Sequence, residues 1–178
     1  MFTVEEACLI VIDVQGKLAN IVNESETIIS NIAKLVQSMK VLNVPVIWME
    51  QNPSRLGGTK SEIAQYMTGK PIEKMDFNGC LNDDVQAAIK ESGRTKFLIT
   101  GIETHICIYQ TARALKSQGY EVEVVVDAVS SRTKENKEIG ITKMQSLGIL
   151  PTSTEMILYE LLQTGEHEKF KEILKLVK

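Results

Sequence analysis

The sequence is poor in the residues that build disulfide frameworks and metal sites. Its 178 residues include 3 cysteines and 2 histidines, and neither CxxC nor HxxxH spacing occurs. An odd cysteine count without close pairs argues against a disulfide framework and a structural zinc site. The chain also lacks the roughly 20 consecutive apolar residues of a membrane span and the basic start of a signal peptide. We therefore expect a reduced, cytoplasmic protein without a metal or other cofactor.

A surplus of positive charge is missing as well. The 20 basic and 23 acidic residues give a net charge of −3, whereas nucleic-acid and membrane-surface binders usually carry clustered Lys and Arg. The hydrophobic share of 43% is ordinary for a soluble globular protein. The length predicts a single domain covering residues 1–178. The charge balance predicts that this domain binds neither nucleic acid nor a membrane.

Short apolar segments alternate with longer segments of helical periodicity. Apolar runs without polar alternation, which are typical of strands buried on both faces, occupy 8–13, 44–50, 96–101 and 121–128. Helical spacing occurs in 26–43, 81–93, 104–119, 134–148 and 155–163. Such alternation predicts parallel strands joined by right-handed crossovers. The expected fold class is α/β, a three-layer α/β/α sandwich with a mostly parallel sheet.

Residues 51–80 interrupt this pattern with a long segment rich in glycine and proline. Long irregular connections in compact domains are usually functional. We expect a short helix at 61–67 and a short strand at about 71–74. Gly57 and Gly58 do not fit a phosphate-binding loop, because they follow no strand and lack the GxxxxGK[ST] pattern.

Polar and nucleophilic side chains follow the predicted strands, at the edge where parallel sheets bind ligands. In chain order these are Asp13, Glu50 with Gln51, Lys74, Cys107 and Asp127.

Cys107 has the position expected of a nucleophile. Gly101 permits a tight exit from the strand, and Thr104 is a suitable N-cap, so Cys107 falls in the first helical turn. Unpaired backbone N–H groups and the helix dipole favour a thiolate there. On position alone, a buried structural cysteine is an equally good interpretation.

Lys74 and Asp13 strengthen the catalytic interpretation. A nearby ammonium lowers the pKa of a thiol, and an aspartate can take its proton and pass it to a leaving group. Seen separately, Asp13 fits a capping or ion-pair residue and Lys74 fits a solvated surface lysine. His105 is a poor candidate for the base, because residues two apart on a helix do not face each other.

Four segments together resemble the isochorismatase-like cysteine hydrolase superfamily, in particular its small uncharacterised hydrolase branch. These are LIVIDVQ (9–15), KPIEKMDFNGC (70–80), LITGIETHICIYQTARAL (98–115) and VVVDAVSSRTKENKEIGITKMQSLG (124–148). The resemblance implies a Rossmann-like parallel sheet of about six strands and a homo-oligomer, dimeric or larger.

The resemblance also implies roles for individual residues. The catalytic triad maps onto Asp13, Lys74 and Cys107. A cis peptide is implied between Ile102 and Glu103, and an oxyanion hole formed by the backbone amides of Glu103 and Cys107. The region after the second strand has no histidine, so the metal site of the nicotinamidases is not expected.

The sequence therefore predicts a cysteine hydrolase that cleaves a small amide-like substrate through a covalent acyl-enzyme. One alternative is vinyl ether hydrolysis of the isochorismate type, led by Asp13 without covalent catalysis. Another is a catalytically silent binding or scaffold protein on the same fold. A flavin- or nucleotide-binding protein is disfavoured, since no Gly-rich turn follows the first strand. Residues considered for the substrate pocket are Gln15, Leu18, Trp48, Phe77 and Thr104.

Overall fold

A six-stranded parallel sheet forms the middle layer of the computed structural model, which describes residues 1–178. The strands are β1 (Ala7–Ile12), β2 (Val46–Gln51), β3 (Ile72–Lys74), β4 (Lys96–Ile102), β5 (Glu121–Ser130) and β6 (Leu150–Thr152). Their order across the sheet is β3-β2-β1-β4-β5-β6, and every neighbouring pair is parallel. The predicted α/β class and the number of strands are confirmed.

Nine α-helices connect or follow the strands. They are α1 (Leu18–Ile21), α2 (Ser25–Val41), α3 (Pro53–Leu56), α4 (Ser61–Ala64), α5 (Asp83–Ser92), α6 (Tyr109–Ser117), α7 (Lys134–Ser146), α8 (Thr154–Leu162) and α9 (Phe170–Val177). A 3-10 turn covers Gly79–Leu81, and a π-helical turn covers Thr104–Ile108. The five long helical segments predicted from periodicity correspond to α2, α5, α6, α7 and α8.

Two hydrophobic cores lie on opposite faces of the sheet, because side chains alternate along each strand. In β1, Leu9 and Val11 pack with α2, α8 and α9, whereas Ile10 and Ile12 pack with α5, α6 and α7. Burial of β1 on both faces explains why its sequence is apolar throughout instead of alternating.

The strand order reverses between the neighbouring strands β1 and β4, which form the topological switch point of the sheet. From β1 the chain extends through β2 to β3, and it then returns to build β4, β5 and β6 on the other side. A crevice forms at such a switch point, outside the carboxyl ends of the two central strands. Residues that follow β1 and β4 are thereby placed on either side of this crevice.

Two structural details differ from the sequence-based expectations. Asp127 lies within β5, and its Oδ1 accepts hydrogen bonds from the Thr154 amide at 2.8 Å and hydroxyl at 3.0 Å, so it holds the start of α8. Thr104 does not cap a helix, because the chain enters a π-helical turn there and the Thr104 hydroxyl has no hydrogen-bond partner.

No helix combines the length and the apolar character that crossing a bilayer demands.

Candidate active site

The three predicted catalytic residues come together at the carboxyl edge of the sheet. Asp13 directly follows β1, Lys74 is the last residue of β3, and Cys107 lies in the π-helical turn after β4. All three are buried, with 4%, 2% and 6% of their surface exposed respectively. The sheet order explains the meeting, because the carboxyl ends of parallel strands share one edge.

Lys74 is the hub of the polar contacts. Its Nζ donates to Asp13 Oδ2 at 2.7 Å, to Gln51 Oε1 at 2.7 Å and to the Asp76 carbonyl at 3.2 Å. The three acceptors match the three N–H donors of an ammonium group. Lys74 is therefore bound on every donor, and it is not the solvated surface lysine that its sequence alone also allowed.

Asp13 and Cys107 lie in one buried site, where burial and the charge of Asp13 raise the pKa of the Cys107 thiol. Burial raises the pKa of Asp13 above its ordinary value, while the charge and the hydrogen bond of Lys74 act in the opposite direction. Asp13 Oδ1 is buried and has no partner with full hydrogen-bond geometry. A carboxyl group in this state can accept one more proton or donor.

The expectation of a lowered thiol pKa is wrong. Burial, followed by the negative charge of Asp13, raises the pKa of Cys107 to about 12, and the opposing effect of Lys74 is too small to compensate. The helix dipole and the lysine favour the thiolate, but desolvation of the buried sulfur outweighs both. Cys107 consequently rests as a thiol and needs a base before it can attack.

The turn that carries Cys107 is packed tightly against the sheet. Gly101 has φ +118°, and a β-carbon there would overlap the backbone of Ile12. The peptide bond from Ile102 to Glu103 is cis. The Glu103 amide donates no hydrogen bond within the protein, so this N–H remains able to bind an acceptor.

The Glu103 side chain anchors the same turn to the loop after β5. Its carboxylate accepts from the Arg132 backbone amide at 3.0 Å and from Arg132 Nε at 3.1 and 3.2 Å. The Glu103 side chain is buried, whereas that of Arg132 is 55% exposed. The ion pair through Arg132 Nε and the bond from the Arg132 backbone amide together fix the position of the residue that precedes the π-helical turn.

Gln15 holds the loop after β2 and does not face an open pocket. Its Nε2 donates to the carbonyls of Gln51 at 3.2 Å and Gly57 at 2.7 Å, and its Oε1 accepts from the Gln51 amide at 2.7 Å. Glu50 supports the same loop, because its Oε1 accepts from the Thr59 amide at 2.6 Å.

The remaining residues considered for the pocket have different environments. Trp48 belongs to the hydrophobic core, and Leu18 packs against that core from its rim. Phe77 is 56% exposed, and Thr104 is fully buried. Trp48 points into the core because it alternates with Ile47 and Met49, which pack on the other face of β2.

The other cysteines and His105 take no part in the polar contacts of Lys74 and Asp13. His105 Nδ1 lies 3.0 Å from Ser131 Oγ. Cys8 and Cys80 are buried in the core on the α5–α7 face, and burial raises the pKa of Cys8 to about 12 and of Cys80 to about 11. No group of three or more His, Cys, Asp or Glu side chains is arranged to hold a metal ion.

Sequence reasoning assigned no role to two residues that contact the site. From the sequence, Gln51 is a polar residue after the second strand and part of the Glu50–Gln51 pair that resembles the small hydrolase branch. Its contact with Lys74 depends on the order of the strands. Arg132 lies in one of the segments that carry the family resemblance. Its partnership with Glu103 joins positions 29 residues apart, which no local pattern reveals.

A doubly wound parallel sheet with an Asp, a Lys and a Cys at its carboxyl edge defines a class of three-layer α/β proteins, and comparison with known proteins specifies the family. The family model described as the isochorismatase domain matches residues 7–156. The chain therefore belongs to the isochorismatase family.

Individual relatives agree with this assignment. "Isochorismatase domain-containing protein 2" of Danio rerio is 35% identical over 170 residues, which cover 95% of this chain and 85% of the relative. "Secreted isochorismatase effector Isc1" of Phytophthora sojae is 36% identical, covering 96% and 83%. The two relatives match nearly the whole chain.

Solved structures show the same fold. The "MAR1 Ribonuclease" of Caenorhabditis elegans superposes with a TM-score of 0.93 at 31% identity, covering 99% of this chain and 91% of the other. The YcaC gene product of Escherichia coli, described as an octameric hydrolase of unknown specificity, superposes with a TM-score of 0.92 at 21% identity, covering 98% and 88%. At that lower identity the likeness concerns the fold alone.

Proposed function

We propose that this protein is a cysteine hydrolase that cleaves the C–N bond of a small amide through Cys107, Asp13 and Lys74. The observation that carries the proposal is the buried ion pair of Asp13 with Lys74, whose Nζ lies 2.7 Å from one carboxylate oxygen. Cys107 is buried in the same site, close enough for the charge of Asp13 to add to the effect of burial in raising its thiol pKa. A nucleophile, a base and a cation that holds the base occupy one solvent-poor crevice.

The raised pKa of the Cys107 thiol gives Asp13 the role of general base. As the sulfur attacks the amide carbon, the thiol proton passes to Asp13, and the C–S bond forms. Lys74 stabilises the Asp13 carboxylate before the transfer. The Glu103 amide, which has no acceptor within the protein, and the Cys107 amide donate to the oxygen that becomes negative.

The second half of the reaction returns every group to its starting state. Asp13 gives its proton to the leaving nitrogen, the C–N bond breaks, and an acyl thioester remains on Cys107. Water then attacks the thioester and loses a proton to Asp13, and the acid is released. Asp13 finally returns that proton to the sulfur, so the net reaction consumes one water per amide.

The test combines substrate screening with trapping of the intermediate. We expect ammonia release from one or more members of a panel of small primary amides, together with a mass increase on Cys107 equal to the acyl group. Asp13→Asn and Cys107→Ala should each lower turnover at least about 100-fold. Turnover by Cys107→Ala at the wild-type rate would exclude the covalent route.

A second candidate function, vinyl ether hydrolysis led by Asp13, is favoured by one observation. Burial raises the pKa of Asp13, and a carboxyl group that retains its proton can protonate a vinyl ether carbon as a general acid. In that case Cys107→Ala retains activity on a vinyl ether, while Asp13→Asn loses it. A protein inactive on both substrate classes, with unreactive Cys107, would be a silent binding or scaffold protein.

The proposal includes the setting of the enzyme. We propose one catalytic domain over residues 1–178, a cytoplasmic location and assembly into a homo-oligomer. The octameric state named for the Escherichia coli neighbour supports assembly, as do exposed apolar side chains such as Met75, Phe77 and Met156. Light scattering after size-exclusion chromatography tests it, and a mass of 19.9 kDa would contradict it.

A further inference from the structure

Gln51 lies between the two charged residues of the site. It is the last residue of β2, and β2 lies between β3 and β1 in the sheet. Gln51 is paired in register with Lys74, so the two side chains leave the sheet on the same face, about 5 Å apart. The Lys74 side chain must pass over Gln51 to reach Asp13.

The Gln51 side-chain amide is held in one orientation. Its Oε1 accepts from Lys74 Nζ at 2.7 Å, and its Nε2 donates to the Met75 carbonyl at 2.7 Å. Rotation of the amide by 180° would place N–H donors against the ammonium and an oxygen against a carbonyl, which would break both contacts. Gln51 therefore always presents an acceptor to Lys74.

The Gln51 backbone is fixed as firmly as its side chain. Gln15, which is 1% exposed, bonds to both the N–H and the carbonyl of Gln51 and to the Gly57 carbonyl. The two glutamines thus form a rigid neutral support beneath the Lys74 ammonium. A flexible polar residue on a solvated loop would lack both the side-chain bonds to Lys74 and Met75 and the backbone bonds to Gln15.

The charges around this support are unequal. Of the three acceptors of Lys74, only Asp13 carries a negative charge, since Gln51 and the Asp76 carbonyl are neutral. On the other side of Cys107, Glu103 is partly neutralised by Arg132. Lys74 is therefore the cation available to balance Asp13, and a second carboxylate beside it would compete for that charge.

We propose that Gln51 is a positioning residue that holds the Lys74 ammonium against Asp13 and, being neutral, leaves its positive charge to the Asp13–Cys107 pair. This inference rests on the proposed triad and extends it. Gln51 acts through Lys74 and needs no contact with the substrate.

Alkylation of Cys107 by iodoacetamide, followed by mass spectrometry at fixed pH 9, tests the inference. Gln51→Glu keeps an acceptor beside Lys74 but adds a negative charge, so alkylation should be about tenfold slower, as expected for a rise of one unit in the thiol pKa. Gln65→Glu makes the same charge change at an exposed position and should leave the rate unchanged. An unchanged rate in a folded Gln51→Glu variant would overturn the inference.

Two further variants separate the possible failures. Gln51→Met removes the acceptor without adding charge, and the less constrained Lys74 should slow alkylation about threefold. If Gln51→Glu does not fold, this variant decides, because a purely structural role lowers Tm and leaves the rate of the folded protein unchanged. Lys74→Gln tests the triad itself. If alkylation of Cys107 is slower in Lys74→Gln but unchanged in both Gln51 variants, the inference about Gln51 is overturned and the triad stands. If the alkylation rate is unchanged in Lys74→Gln, the proposed function is overturned.

Discussion

Lys74 and Asp13 form an ion pair of 2.7 Å whose side chains are 0% and 5% exposed. One strand lies between them in the sheet, because Asp13 follows β1, Lys74 ends β3, and β2 separates these two strands. A buried pair of this kind is costly to break, because the remaining charge stays in a solvent-poor environment.

Replacing Lys74 by Met should therefore destabilise the protein. We expect the free energy of unfolding to fall by about 3–5 kcal/mol, the usual cost of leaving one buried charge unpaired. Urea denaturation at pH 7 measures the change. Lys134→Met is the matched control, because Lys134 pairs with Glu138 on an exposed face and such pairs contribute about 0.5 kcal/mol or less. Equal losses in both variants would show that burial does not make the Lys74–Asp13 pair costly to break.

Asp13→Asn should separate the reactivity of the thiol from catalysis. Asp13 raises the pKa of Cys107 while Lys74 lowers it, so removing the carboxylate lowers the thiol pKa and leaves the ammonium to act alone. We expect alkylation of Cys107 at pH 9 to become faster, while hydrolysis is lost with the base. Cys8 and Cys80 serve as internal controls in the same mass spectra. Slower alkylation would show that Asp13 does not act on the sulfur electrostatically.

A substitution of Gly140 on α7 should shift the π-helical turn that carries Cys107. A β-carbon at Gly140 would lie 3.0 Å from the His105 amide nitrogen and from the Thr104 carbonyl, so the turn must shift by a few tenths of an ångström. We expect Gly140→Ala to lower turnover several-fold, since a misplacement of 1 Å costs about 100-fold.

Gly165→Ala provides the control for this substitution. A β-carbon at Gly165 meets no heavy atom within 4 Å, so the same chemical change should leave turnover and the free energy of unfolding nearly unaffected. If Gly140→Ala matches this control in turnover, the packing of α7 does not position Cys107.

Glu123 should make stability depend on pH. Burial, together with the charges of Glu160 and Glu121, raises its pKa from 4.5 to about 7, against the smaller effects of the N-terminal ammonium and Lys96. Between these pH values the folded protein binds a proton that the unfolded chain has lost, so the Glu123 contribution declines as the pH rises from about 4.5 to 7.

Thermal unfolding of Glu123→Gln checks this expectation. The neutral side chain cannot ionise, so at pH 8 its Tm should exceed that of the wild type by about 1–2 °C, a modest value because water screens a half-buried group. At pH 4 the two proteins should have similar Tm. A variant less stable than the wild type at pH 8 would contradict the assigned cause of the shift.

Most of the regular structure could be predicted from local sequence patterns. The continuous apolar runs correspond to β1, β2, β4 and β5, and the long periodic segments correspond to helices. β6 was not predicted because the strand has only three residues, one of which is Pro151, and because its first residue, Leu150, is exposed, so the strand has no buried apolar run. The helix predicted at 61–67 corresponds to α4, which is shorter than expected, whereas α1 and α3 have four residues each, too few for a periodic pattern to predict.

The sequence by itself determined that Asp13 ends a buried strand, because its apolar run stops there. It also placed Lys74 at the end of a short strand and Cys107 in the helical turn after the strand at 96–101. Only the tertiary structure decided what these residues do to one another. The strand order placed Gln51 beneath Lys74, the packing of the turn paired Glu103 with Arg132, and burial raised the pKa of the Cys107 thiol to about 12. Desolvation and charge–charge energies depend on distances and surroundings in three dimensions, which a local sequence pattern does not contain.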